Sequence, residues 1–126
     1  MKHSLNCIVR LRIGRMDRDG RSAFGYGTAC LLDGIARLHS LNQAAKEMGM
    51  AYSKAWKSIK ATEENLGFAL IQRKGPSGSV LTPRGEWFLS LYQDMEAAAQ
   101  EGANAVLQRA LSQKDPWDAP DEEHFA

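Results

Sequence analysis

Ser40–Leu66 reads SLNQAAKEMGMAYSKAWKSIKATEENL, and this stretch decides the fold. Leu41, Ala44, Ala45 and Met48 recur at the spacing of one helical stripe. Ser40 stands in front of them as an N-cap, its hydroxyl placed to accept from a free backbone N–H of the first turn. Ala44 and Ala45 are small enough to let a second helix cross closely. Gly49 marks a left-handed helix end, so Gly49-Met50-Ala51 forms a short turn. From about Ala51 to Leu66 a further helix turns Ala55, Ile59 and Leu66 inward with Trp56 beside them. Ser53, Lys54, Lys57, Ser58 and Lys60 cover its outside. Two short helices with a tight turn and a basic outer face form a helix-turn-helix pattern, whose second helix enters the major groove of DNA.

The flanks extend this pattern. Ala69–Arg73 (ALIQR) predicts a short strand, residues 74–79 (KGPSGS) a turn tip, and Val80-Leu81 the return strand, so that residues 69–81 form a hairpin wing. Thr82-Pro83 is a capping hydroxyl followed by proline at the first helical position. The helix it opens runs over about residues 82–112, with Phe88, Leu91, Tyr92, Met95, Ala98, Ala99, Gly102, Val106 and Ala110 on one stripe. Such a rod, roughly 44 Å long at ~1.5 Å per residue, outruns any core this chain can build. The remaining apolar surface predicts a homodimer through this helix.

Toward the N-terminus, Cys7, Val9, Leu11 and Ile13 alternate with Ile8, Arg10 and Arg12, which predicts a strand over Asn6–Ile13 with one wet face. Arg15–Gly27 reads as a loop or hairpin with a short strand around Ser22–Gly25. Thr28–Leu38 reads as the first helix, with Leu31, Leu32, Ile35 and Leu38 on its stripe. Phe24-Gly25-Tyr26-Gly27 lacks the third glycine and the long strand of a dinucleotide site, and is read as a structural turn. The fold class is therefore mainly α with a small β-hairpin: a winged helix-turn-helix domain over residues 1–112 with a long C-terminal dimerisation helix. Residues 113–126 (QKDPWDAPDEEHFA) are expected to form an acidic, disordered tail.

Charge agrees with this division. The chain of 126 residues has a net charge of +1, but residues 1–92 hold 14 Lys/Arg against 7 Asp/Glu, and residues 93–126 hold 2 against 8. A polyanion is drawn to the first part and repelled by the second. No apolar run is long enough for a membrane span and no secretory leader is present, so a cytoplasmic protein with two reduced thiols, Cys7 and Cys30, is expected. His3, His39 and His124 build no catalytic or metal-ligating group with neighbouring residues, so neither an enzyme, a metal nor a cofactor is expected.

With these motifs placed, residues 6–100 resemble the N-terminal DNA-binding domain of ModE-type molybdate-responsive transcription regulators, which is related to the LysR-type domain. The resemblance rests on Phe24-Gly25-x-Gly27 leading to Leu31-Leu32, Ser40-Leu41-x-x-Ala44-Ala45, Met48-Gly49-Met50-x-Tyr52 and Ala55-Trp56. It continues through Asn65-Leu66-Gly67-x-x-Leu70, Arg73 and Leu81-Thr82-x-x-Gly85. Ala51 stands where the family usually has serine, and the wing is shorter than usual. The resemblance implies a bacterial, stand-alone DNA-binding protein without the family's molybdate-sensing domains, dimeric on a palindromic double-stranded operator. Tyr52, Ser53, Lys54 and Lys57 are then candidates for the groove, where lysine can read guanine O6/N7, while Lys60, deeper along the helix, is read as a phosphate contact or a solvated charge. Arg73 and Lys74 would hold flanking phosphates from the wing, and Ser40 and Gln43 the backbone from the preceding helix. The competing reading is a winged-helix protein-interaction module without DNA readout. The exposed lysines weigh against it, because a protein-binding groove wants more apolar surface.

Overall fold

The computed structural model describes residues 5–18 and 21–113. Chain order is β1 (Arg12–Arg15), β2 (Arg21–Gly25), α1 (Tyr26–Leu38), α2 (Leu41–Glu47), α3 (Tyr52–Leu66), β3 (Ile71–Arg73), β4 (Ser79–Leu81) and α4 (Pro83–Ser112). The architecture is mainly helical with small antiparallel hairpins, as the sequence pattern predicts. Contacts divide the described chain into two compact units, residues 10–95 and residues 5–9 with 96–113. Among the described residues no helix is long and apolar enough to cross a membrane. The expected acidic tail lies, after Gln113, outside the described residues.

In the larger unit, α1, α2 and α3 pack around Leu31, Leu32, Ile35, Leu41, Ala55 and Ile59, all buried. The small residues work as expected. A methyl added at Gly34 of α1 would lie 2.7 Å from the Cβ of Ala44, so this crossing requires glycine opposite alanine. Thr28 and Thr62, both buried, join α1 to α3 through their hydroxyls at 3.1 Å. Thr62 Oγ1 already donates to the Ser58 carbonyl, which leaves Thr28 as the donor of the pair. Phe24 of β2 meets Phe88 and Tyr92 of α4 with ring centroids 4.8 and 5.3 Å apart. Such tilted aromatic pairs add to the area they bury. The Tyr92 hydroxyl donates to the Leu11 carbonyl at 2.7 Å, so this ring closes the core without an orphaned polar atom.

α4 opens on the predicted cap. Thr82 Oγ1 accepts from the Gly85 N–H at 2.9 Å and donates to the Ala69 carbonyl at 2.7 Å, while the Thr82 N–H donates to the Leu70 carbonyl at 2.9 Å. Phe88, Leu89 and Tyr92 are buried, whereas Met95, Ala98, Gly102, Val106 and Ala110 of the predicted stripe are exposed.

The N-terminal strand is a correction. Alternation holds, with Cys7, Val9, Leu11 and Ile13 half-buried and their neighbours exposed. Only Arg12–Arg15 pairs into a sheet, however, against β2 with Ile13 opposite Phe24. In the smaller unit, residues 5–9 run extended along α4. The Cys7 N–H donates to Asn104 Oδ1 at 2.9 Å, the Val9 N–H to Gln100 Oε1 at 2.8 Å, and Gln108 Nε2 donates to the Leu5 carbonyl at 2.9 Å. Asn104 Nδ2 also donates to Asn6 Oδ1. Three amides one helical turn apart thus take the place of a neighbouring strand.

Candidate nucleic-acid interface

Ser40 is extended and its Oγ accepts from the Gln43 N–H at 3.1 Å, the predicted cap of α2. The Met50 N–H donates to the Ala45 carbonyl at 2.9 Å, and Gly49 takes φ 64°, which closes the turn into α3. Tyr52, Ser53, Lys54 and Lys57 are all exposed on the first turns of α3. Among the described residues neither Lys54 nor Lys57 meets a carboxylate within ion-pair distance. Gln43, Arg73 and Lys74 are exposed as well.

The wing is a hairpin in which Ile71 faces Leu81 and Arg73 faces Ser79. Its tip closes with the Lys74 N–H donating to the Gly78 carbonyl at 2.9 Å. The base is fixed to the corner between α1 and α2. The Ser79 N–H donates to the His39 carbonyl at 2.9 Å, and a Cβ on Gly78 would collide with that same carbonyl. His39 itself sits in the left-handed region, φ 57°, ending α1. Between the start of α2 and the wing lies a cleft of about 180 Å³ lined by Ser40, Asn42, Tyr52, Arg73 and Ser79.

The cations divide into two groups. Arg73 Nη2 donates to the Tyr52 hydroxyl at 2.7 Å, and its guanidinium carbon lies 4.8 Å from the centre of the Trp56 ring. Lys60 is engaged otherwise than its outward position suggests. Its Nζ lies 4.4 Å over the Trp56 ring and 3.0 Å from Glu63 Oε1. Its charge is therefore partly spent inside the protein, unlike that of Lys54 and Lys57.

Glu63 and Trp56 are residues whose part the sequence pattern concealed. Glu63 is mostly buried, and its Oε2 accepts from the N–H groups of Leu70 and Ile71 at 2.7 and 3.2 Å, which fixes where β3 begins. The one signal was a negative charge at the helix end where the dipole disfavours it. Away from this face, Arg37 binds Asp33 and Glu47, whose carboxyl it holds below the usual range through two hydrogen bonds.

A closely crossed helix pair, an open basic helix and a glycine-tipped hairpin pinned beside it define a winged helix-turn-helix. Residues 30–86 match the profile of the bacterial regulatory helix-turn-helix protein, lysR family. Over this segment the chain is similar to LysR-type helix-turn-helix domains, and ModE- and MopB-type proteins are among its relatives. The chain is 37% identical over 81 residues to the DNA-binding transcriptional dual regulator ModE of Escherichia coli K12, covering 61% of this chain and 30% of that protein. It is 33% identical over 86 residues to the molybdenum-pterin-binding protein MopB of Rhodobacter capsulatus, covering 65% and 32%. The chain thus spans about a third of the length of these relatives. Among solved structures, the DNA-binding domain of BenM in complex with its benA site 1 DNA superposes with a TM-score of 0.56 at 20% identity, covering 69% of this chain and 96% of that one. The DNA-binding domain of CbnR in complex with DNA gives 0.55 at 23% identity, covering 68% and 95%. At this identity the likeness speaks for the fold.

Proposed function

We propose that this chain is a DNA-binding transcription regulator of the LysR/ModE type that binds as a homodimer to a palindromic operator. The observation that carries this reading is the set of exposed cations on the start of α3 and on the wing bonded to it. Lys54 and Lys57 lie open on the first turns of α3, and the wing's Arg73 bonds to Tyr52 on the same turns. In this reading α3 enters the major groove, with Tyr52, Ser53, Lys54 and Lys57 toward the bases. Arg73, Lys74, Ser40 and Gln43 hold the flanking phosphates. Ser40 Oγ and the Tyr52 oxygen each already accept one hydrogen bond, so both keep a hydroxyl hydrogen to donate to a phosphate. Lys60, tied to Glu63, contributes less.

The dimer is supported by the exposed line Met95, Ala98, Gly102, Val106 and Ala110 on α4, which residues 5–9 leave uncovered. Ala98, Gly102 and Ala110 are small enough to let a second helix approach closely, with Met95 and Val106 as apolar contacts beside them. On a two-fold operator the two α3 helices would sit one DNA turn, ~34 Å, apart.

The test is fluorescence anisotropy on duplexes selected from a random pool. A dimer neutralising about 6–10 phosphates loses roughly 10³–10⁵ in affinity between 50 and 200 mM salt. Lys57→Ala should cost about 1–3 kcal/mol and relax preference at one operator position. A flat salt dependence, or capture of a protein partner by the same face with no selected sequence, refutes the reading.

A further inference from the structure

We propose that Trp56 is a positioning residue for the wing arginine: its indole, with the Tyr52 hydroxyl, holds the Arg73 guanidinium ready for a nucleic-acid phosphate. The inference rests on the DNA-binding reading above and adds how its wing contact is prepared.

Arg73 projects from a three-residue strand and is exposed, a setting in which a long side chain would ordinarily sample many rotamers. Here it has two restraints, the 2.7 Å bond to the Tyr52 oxygen and the indole face 4.8 Å away. The latter is within the range of a cation–π contact. Neither partner is acidic. Arg15 and Arg37, by contrast, each lie against a carboxylate, Asp17 for the first and Asp33 and Glu47 for the second. An arginine paired with a carboxylate must break that pair before it can take a phosphate. Arg73 is held without losing its charge, and the bond to Tyr52 uses one of its five N–H donors. A fork fixed in this way gives up less freedom when it closes on two phosphate oxygens.

The restraint reaches the wing from both ends of β3. Glu63 accepts from the Leu70 and Ile71 N–H groups at the strand's start, while Tyr52 and Trp56 hold Arg73 at its end. All three partners belong to α3. Trp56 also lies under Lys60, whose ammonium is bonded to Glu63, so one ring holds both a helix cation and a wing cation. Arg73 therefore keeps a set distance from Lys54 and Lys57. A flank contact and a groove contact tied to one rigid helix reach the duplex in a fixed register.

The experiment is a double-mutant cycle on the full chain, read by anisotropy with a mixed-sequence duplex between about 50 and 200 mM salt. Trp56→Leu should weaken binding roughly five- to tenfold and lower the salt slope by about one per protomer, the share of one phosphate contact. Trp56→Phe, which keeps a ring, should stay within about twofold of wild type. Arg73→Ala should lower the slope equally, and Trp56→Leu added to it should cost nothing further. Circular dichroism of each variant reports the fold, and Trp56→Phe and Tyr52→Phe carry the test if the leucine variant unfolds. Additive losses, an unchanged slope in Trp56→Leu, or a Trp56→Leu loss that vanishes on Lys60→Ala and persists on Arg73→Ala each overturn the proposal. Wild-type protein that shows no salt-dependent binding overturns the DNA reading and this proposal together, whereas wild-type binding with additive losses overturns this proposal alone.

Discussion

Gly85→Ala should cost far more than one methyl group suggests. A Cβ at position 85 would lie well under 3.0 Å from the Leu70 carbonyl oxygen, 3.0 Å from its carbon and 3.3 Å from its Cα. All three are backbone atoms, so no side chain can swing aside. To reach ordinary contact, α4 and the 69–70 segment must separate by several tenths of an ångström at the carbon and by more at the oxygen. That same oxygen accepts from the Thr82 N–H at 2.9 Å, and Thr82 Oγ1 donates to Ala69 at 2.7 Å. The shift therefore strains two hydrogen bonds worth about 1 kcal/mol each, on top of an overpacking cost of about 1–3 kcal/mol. Alanine recovers at most about 1 kcal/mol of helix propensity. The net loss is about 2–4 kcal/mol, which lowers Tm by roughly 10–25 °C for a domain of this size. Thermal unfolding followed by circular dichroism measures it. Gly27→Ala, in the exposed first turn of α1, is the control, because no atom lies within 4 Å of a Cβ there. It should gain about 0.4–1 kcal/mol. If Gly85→Ala unfolds at the wild-type temperature or above it, the close contact of α4 with Leu70 is not what glycine serves.

Val106→Glu should leave the folded protomer intact, since Val106 is 58% exposed, yet convert the proposed dimer to monomers in sedimentation. A variant that sediments as the wild type does would refute the proposed pairing through this face of α4. Asn104→Leu removes the acceptor of the Cys7 N–H, and loss of about 1–2 kcal/mol there should speed exchange of the 5–9 amides some 5- to 30-fold, read by hydrogen–deuterium exchange. Unchanged exchange would mean that the amide ladder does not hold the segment. Arg37 keeps the Glu47 carboxyl below its ordinary value of 4.5 in the folded chain. The stability this linkage contributes is present above the ordinary carboxylate range and fades as pH falls through the folded-state value. Glu47→Gln should therefore make Tm against pH shallower on the acid side of about pH 4.5, and an identical slope would argue against the linkage.

The helix-turn-helix was legible because its signals are local and periodic. Ser40 caps α2, Gly49 ends it, Ala44 and Ala45 are buried at the crossing, and Ala55 and Ile59 line the inner face of α3. α1 begins at Tyr26, ahead of the predicted Thr28, because its cap is Gly25, which offers no side-chain bond to mark it. Residues 6–11 were misread for a different reason. Alternation reports extended backbone with one sheltered face, and says nothing about which group receives the N–H bonds. Gln100, Asn104 and Gln108 supply that group, and on a sequence they look like polar positions facing water. The partnership of Glu63 with β3, and of Trp56 with Arg73, spans 7 and 17 positions and follows no period.

The charges of α3 are arranged against its own dipole at both ends. Its first turn holds Lys54 and no acidic residue, and its cap, Ala51, offers no side-chain bond to the free N–H groups. Its last turn holds Glu63 and Glu64 and no basic residue. Each mismatch costs about 0.3–1 kcal/mol in a free helix. At the C-terminal end the cost is offset within the protein, where Glu63 receives two backbone N–H groups and the Lys60 ammonium. At the N-terminal end nothing among the described residues offsets it. Unfilled backbone donors, the positive end of a dipole and two open ammonium groups there all call for the same kind of partner, an anion with many oxygens. Local rules are broken in folded proteins chiefly where function requires it. The asymmetry between the two ends of one helix is thus itself an argument, within the proposed DNA-binding reading, for a phosphate backbone at the start of α3, while Glu63 at its end secures the base of the wing.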